Sequence, residues 1–400
     1  MGVHYLIRNL ERVDGRLPFK ITLNDKGNSY FESDMNIDKY KDIGNGNLQY
    51  IGIDGSVIIH SKIITDKNKI LEKESAVAIV DTIMRYIKTV IIFFDIFNTR
   101  ENINNSKKII LHFVIDGKAP CLKNRRKIID DDGNETYKKD SYSLMSSKEK
   151  HDFHKIIIKY LKKELSFFFN NNDDYDNNAY YRLFKNIKIE LLTNYNINED
   201  KRGEGEIELF KFCQLLNKKN LQEKQSVPYK NVIISSDSDV ISLMLMHKDK
   251  NLVVISPLNI IYITNFNLIT KSLNLTAKNA YFKYVLLHFI FFGSDYNLGL
   301  MSNPNNDKQK AILNAIYDNV NNIDEIGQTF KRRRRKRKYN EDSYDDDEFL
   351  KNLKNLLIYE AICAFMYYYD IETGSKYLTT YSPRLYEKTD TKKYISFLNF

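Results

Sequence analysis

The chain has 400 residues, 42% of them hydrophobic, and its 61 Lys and Arg outweigh 52 Asp and Glu to give a net charge of +9. Such a length supports one large core or two ordinary ones, and the basic balance favours a polyanionic partner without specifying it. The three cysteines, Cys121, Cys213 and Cys363, are far apart and form no Cys-x-x-Cys, which argues against a disulfide framework or zinc site and for a reducing compartment.

Arg8, Glu11 and Arg12 interrupt any apolar leader, Leu6 stands where a myristoylation site needs Ser or Thr, and "VIIFF" and "VLLHFIFF" are too short to span a bilayer. The expectation is a soluble, cytoplasmic protein without a membrane partner. Abundant Asn, Lys, Ile and Tyr with no Trp point to an AT-rich genome, such as that of a large DNA virus or a protist.

In chain order, "LQYIGID" (48–54) reads as a strand. A helix follows, with Ile79, Ile83, Ile87 and Ile91 on one face. "KKIILHFVID" (107–116) is the next strand, "KEKHDFHKIIIKYLKKELSFFF" a helix, and "NIKIELLT" (186–193) a strand. A helix through Leu209, Phe212, Leu215 and Leu216 follows "GEGE", and "NVIISS" and "NLVVIS" are two further strands. This alternation predicts an α/β fold: a mostly parallel central sheet flanked by helices, with its site at the carboxyl ends of the strands. The expected division is a core over 1–305, with an Asn-rich insertion at 167–180, and a helical C-terminal extension over 306–400 carrying a charged loop at 331–348.

Acids recur where the apolar runs stop. Asp54 ends "IGID", Asp116 ends "FVID", Glu204 and Glu206 stand at a helix start, Asp237 and Asp239 follow "VIISS", and Asp295 ends "FFGSD". A single strand-ending Asp is more often a turn or helix cap than a catalytic group. In a parallel sheet, however, all of these arrive at one edge, where their repulsion calls for divalent cations. The donors are hard oxygens, which suit Mg²⁺ or Mn²⁺, and two such ions about 3.5–4 Å apart can promote phosphodiester hydrolysis.

The order of "MGVHYLIRNL", "IDGSVIIH", "VIDGKAPCLK", "RGEGEIE", "SSDSDVISLML" and "FFGSDYN" resembles the nuclease core shared by the Xrn 5′→3′ exoribonucleases and the flap endonucleases, over roughly residues 1–300. The Glu-Gly-Glu and the His60 spacing favour the Xrn branch. "GSDYN" is closer to the flap endonucleases, yet the Gly-x-Gly hairpin with which those enzymes grip duplex DNA does not follow it. The resemblance implies a PIN/flap-nuclease-like fold and a two-ion site held by Asp54, Asp116, Glu204, Glu206, Asp237, Asp239 and Asp295. It further implies that Lys123 binds the 5′ phosphate of single-stranded RNA and that His60 stacks on the first base. Arg125, Arg126 and Lys127 transfer less directly, but their chemistry suits a phosphate.

Each of these residues also has a plainer reading. "KAPCLKNRRK" can be a solvated basic turn, and His60 a satisfied core residue. His151 and His154 in "HDFH" read as an exposed helix face rather than a metal site. Lys331–Lys338 is read first as a loop balanced by its acidic neighbour, then as a nuclear-import signal or an electrostatic arm. The reading favoured is a Mg²⁺-dependent exoribonuclease for 5′-monophosphorylated RNA. The alternatives are a structure-specific 5′ flap endonuclease acting on DNA and an inactive RNA-binding protein on the same fold. The sequence gives no evidence of protein partners.

Overall fold

The apolar runs become strands buried on both faces, which is why they read as continuous rather than alternating. The computed structural model describes residues 6, 10, 15–23, 29–31, 37–63, 73–97, 108–117, 128–129, 135–136, 145–170, 184, 187–197, 202–222, 228–257, 261–276, 280–294, 296–298, 361 and 363–370. The main sheet holds seven strands: β1 (Leu17–Phe19), β2 (Asn47–Asp54), β3 (Lys108–Val114), β4 (Lys188–Thr193), β5 (Tyr229–Ile234), β6 (Leu252–Pro257) and β7 (Ile261–Asn265). Their order across the sheet is β1-β7-β6-β5-β2-β3-β4. From β6 through β4 the pairings are all parallel, and only β7 runs against its neighbours. The mostly parallel α/β sheet expected from the sequence is therefore present.

The helices are α1 (Ile37–Gly44), α2 (Gly55–Ile63), α3 (Lys73–Phe97), α4 (Ser147–Asn170), α5 (Gly205–Gln222), α6 (Asp239–Met246), α7 (Phe266–Ser272) and α8 (Ala280–Phe291). Ser146 and Glu149 start α4 with a capping box. The Ser146 N–H donates to Glu149 Oε2 at 2.8 Å, and the Glu149 N–H to Ser146 Oγ at 3.3 Å.

Period-two alternation along the strands feeds two cores. Ile51, Ile53, Val232 and Ile234 pack with α3 and α4, where Ile79, Ile83, Ile87 and Ile91 are all buried, as their spacing predicts. Tyr50, Ile233 and Val254 face the other side, with α5, α6, α8 and the helical segment 363–369. At about 25 cal/mol per Å² of apolar surface, each such buried side chain contributes roughly 1.5–3 kcal/mol before entropy is counted.

α4 runs through Phe167–Asn170, as the helix reading of "KEKHDFHKIIIKYLKKELSFFF" expects for Phe167–Phe169, and its apolar face continues through buried Phe169. Two expectations need correction. On α5 the buried face runs through Ile207, Leu209, Phe210 and Cys213, while Leu215 is 60% exposed. His154 is not on an exposed face. It is 1% exposed, and burial first, then the charge of Arg202, pushes its imidazole down to about 3. Its partner in the motif, His151, is exposed and stacks on Tyr195 at 5.9 Å.

Cys213 and Cys363 are buried free thiols, and Cys121 lies outside the described residues. Among the described residues no helix is long and apolar enough to cross a membrane.

Candidate metal centre

The order in which the chain adds strands reverses between the parallel neighbours β2 and β5. β3 and β4 follow β2 on one side, β5 and β6 lie on the other, and the crevice at such a switch point opens at the carboxyl ends of the strands. Asp54 is the last residue of β2 and is 2% exposed. Its Oδ1 accepts the Val57 N–H at 3.2 Å, and its Oδ2 accepts the Ser235 hydroxyl at 2.9 Å. The same Ser235 oxygen accepts the Asp237 N–H at 3.1 Å, so one hydroxyl ties the end of β2 to the loop after β5.

Asp116 lies two residues past the end of β3. Its N–H donates to Ser56 Oγ at 2.8 Å, and its Oδ1 accepts the Gly205 N–H at 2.7 Å, at the first residue of α5. Only glycine allows that approach. A Cβ on Gly205 would lie 2.8 Å from Asp116 Oδ1 and 3.7 Å from Asp54 Oδ1. The α5 amide thus places its donor and the positive end of its dipole against a carboxylate.

Glu206, Asp237 and Asp239 each offer an oxygen, and these oxygens lie within 4.8 Å of one another. Glu206 and Asp239 are 4% and 0% exposed, and Asp237 is half-buried. Glu204, 5% exposed, accepts the Tyr367 phenol at 3.0 Å, and Asp239 Oδ2 accepts the Tyr368 phenol. Burial pushes both phenols well above their ordinary range, and the charges of these same acids add to it.

The electrostatic consequence falls on Asp54. Burial first, then the charge of Asp116 and lastly that of Asp237, push its carboxyl up to about 8, while the Val57 and Ser235 hydrogen bonds oppose the shift. An all-oxygen donor set of this density, with one member driven toward its neutral form, is one that could hold a divalent metal ion.

Six of the seven predicted acids are described, and they converge here. Asp295 lies outside the described residues, although its neighbours Ser294 and Tyr296 are buried, and Tyr296 packs on Tyr367 and Tyr368 with ring centroids 5.1 and 5.8 Å apart. Lys123, Arg125, Arg126 and Lys127, and the run Lys331–Lys338, also lie outside the described residues. His60 stands half-buried on α2, six residues after Asp54.

Sequence reasoning missed the supports. Ser56 and Ser235 carry no pattern of their own. Asn194 clamps the residue before Asp116, accepting the Ile115 N–H and donating to the Ile115 carbonyl, both at 2.9 Å, and donates to Glu208 Oε2 at 2.9 Å. Only Glu208 had a signal, its place one helical turn after Glu204.

A family model described as the XRN 5′-3′ exonuclease N-terminus matches residues 1–257. The chain belongs to this family. XRN membership makes it a 5′-3′ exonuclease, acting on nucleic acid. No curated protein matches the chain. Among solved structures, the chain is similar to the catalytic core of Rad2 in complex with a DNA substrate, at 17% identity and a TM-score of 0.37, over 80% of this chain and 79% of that one. It is also similar to the T5 D15 protein co-crystallised with metal ions, at 14% identity and a TM-score of 0.36, over 83% of this chain and 97% of that one. Tyr367 and Tyr368 lie beyond the XRN match.

Proposed function

We propose that the protein is a divalent-metal-dependent 5′→3′ exoribonuclease that removes nucleotides from 5′-monophosphorylated single-stranded RNA. The observation that carries the reading is the convergence of Glu206, Asp237 and Asp239, with oxygens within 4.8 Å of one another, beside buried Asp54 and half-buried Asp116. These five, with Glu204 and Asp295, would hold two Mg²⁺ or Mn²⁺ ions. When bound, such ions supply an activated water and neutralise charge on the leaving oxygen.

The chain's own part is positional. The Ser235 hydroxyl and the Gly205 N–H orient the Asp54 and Asp116 carboxylates as neutral donors, and Ser56 holds the Asp116 backbone by accepting its N–H. Lys123, aided by Arg125, Arg126 and Lys127, is assigned to the terminal phosphate, and His60 to stacking on the first base, which holds register without reading sequence. A monophosphate matches those donors. A hydroxyl end would leave them unpaired, and a cap or triphosphate adds bulk and charge. The nuclease core is assigned to residues 1–305, and cytoplasmic RNA is the assigned substrate pool.

The test is a time course on four RNAs identical except for a monophosphate, triphosphate, cap or hydroxyl at the 5′ end, with a single-stranded DNA of the same sequence as a fifth arm. Single-nucleotide products from the monophosphate RNA, abolished by EDTA and slowed by Lys123→Ala, are expected. Equal rates on all ends, or internal cuts independent of the end, refute the exonucleolytic reading. Faster cleavage of the DNA arm refutes the RNA preference.

A further inference from the structure

The helical segment 363–369 lies well beyond residue 257, where the family match ends, yet it reaches the acids. Ala361, Ala364, Phe365, Tyr367 and Tyr368 are all buried in the core that holds α5 and α6. The segment is held at its far side as well: His247 Nε2 lies 3.1 Å from the Tyr368 carbonyl, and Phe365 and Tyr368 meet Phe289 edge-on at 5.9 and 5.6 Å. Two consecutive tyrosines on this anchored helix then reach two different acid-bearing elements. Tyr367 donates to Glu204, just before α5, and Tyr368 to Asp239, the first residue of α6.

We propose that Tyr367 and Tyr368 are positioning residues of the metal centre, holding the Glu204 and Asp239 carboxylates in the orientation that a divalent cation requires. The inference rests on the metal-site reading above and adds to it a part of the chain outside the family match.

A carboxylate has two oxygens and rotates about its last bond unless one oxygen is held. A phenol on one oxygen fixes the plane of the group and leaves the other oxygen aimed. A phenol is also neutral. A lysine or arginine in the same place would cancel the charge that attracts the cation, whereas a phenol orients the ligand and leaves its charge intact. The tyrosines are rigid enough for this role, since the Tyr296 ring packs against both and Tyr367 and Tyr368 pack on each other at 5.1 Å. Groups that orient metal ligands from behind typically change metal affinity about 10–100-fold when removed.

The experiment compares the full-length chain with Tyr367→Phe, Tyr368→Phe and the double variant, each lacking only hydroxyl oxygens. The primary readout is Mg²⁺ affinity without nucleic acid, by calorimetric titration and by the Mg²⁺-induced rise in Tm. The secondary readout is the split between kcat and KM on monophosphorylated RNA. The expected result is about a 10–100-fold weaker Mg²⁺ affinity in each single variant, with KM for RNA unchanged and kcat recovering as Mg²⁺ is raised. A merely structural role lowers Tm equally with and without Mg²⁺ and leaves Mg²⁺ affinity within twofold of wild type; that outcome overturns the inference. If the double variant does not fold, the single variants decide, because each keeps one phenol. Failure of the wild-type chain to bind Mg²⁺ removes the metal-site reading and this inference with it. Equal binding by the wild-type and Phe variants overturns the inference alone.

Discussion

Replacing Asp54 with Asn should inactivate the protein and, without metal, make it more stable. Asp54 has an ordinary value near 3.8 and is pushed up to about 8 in the fold. Between those values the folded chain binds a proton that the unfolded chain does not, so stability falls as pH rises through this window. At pH 7 the cost spans about 3 pH units, at about 1.4 kcal/mol each, or about 4 kcal/mol at most. At pH 5 only about 1 unit remains, or about a third of that cost.

Asparagine is isosteric and keeps the local bonds. Its oxygen can accept the Val57 N–H, and its amide can donate to Ser235 Oγ, which already accepts from Asp237. Asp54→Asn should therefore be about 2–4 kcal/mol more stable than wild type at pH 7 in EDTA, with a clearly smaller gain at pH 5. Urea unfolding at the two pH values, in EDTA and in Mg²⁺, measures this. In Mg²⁺ the gain should shrink or reverse, because a cation at 100 times its Kd stabilises the wild-type site by about 2.7 kcal/mol. An Asp54→Asn variant no more stable than wild type at pH 7 in EDTA, or one whose gain is the same at pH 5 and pH 7, would refute the account of the site's electrostatics.

Other substitutions probe the scaffold. Gly205→Ala places a Cβ 2.8 Å from Asp116 Oδ1 and should cost about 1–3 kcal/mol while lowering kcat at least tenfold, read from urea unfolding and an RNA time course. Asn194→Ala strips partners from both backbone groups of Ile115 and should cost about 2–4 kcal/mol, seen as a fall in Tm; an unchanged Tm would remove its clamping role. His112 and His154 are buried and held down to about 4 and about 3, so below pH 6.5 the unfolded chain takes up protons that the fold refuses and stability falls with acidification. In an Asp54→Asn background, where the opposing slope is gone, His154→Gln should flatten the pH 5–6.5 dependence by up to about 1.4 kcal/mol per pH unit; an unaltered slope would show that His154 titrates normally.

The sheet and the acids were legible in the sequence for one reason. A parallel strand buried on both faces is written as an unbroken apolar run such as Val232-Ile233-Ile234, and its end is marked by the first polar residues, where the carboxylates stand. Parallel pairing then carries every such end to one edge. The α5 face was less legible, because Leu209, Phe212, Leu215 and Leu216 form one ordinary apolar stripe, and only packing decides that the buried face is turned from it toward Phe210 and Cys213. The helix settles with Phe210 and Cys213 inward and leaves Leu215 in solvent. His154 was misread because a histidine flanked by Asp152 and Lys155 has the composition of a surface, and burial of its ring depends on what α4 packs against. Tyr367 and Tyr368 were invisible as site residues. Their sequence, "FMYYYD", signals only an aromatic helix, and their reach to Glu204 and Asp239 exists only once the C-terminal segment has folded back across the core.

Several hydrogen bonds to these carboxylates share one property. Those from the Ser235, Tyr367 and Tyr368 hydroxyls and from the backbone amides of Val57, Gly205 and Asp239 come from neutral groups. Neutral donors hold the geometry and do not relieve the repulsion from Asp116 and Asp237, which adds to burial, the larger cause, in driving Asp54 up to about 8. Stored repulsion of this kind is a stability cost in the empty site and an affinity in the filled one. The same charge that makes Asp54→Asn more stable in EDTA is what should make the wild-type chain gain most from Mg²⁺.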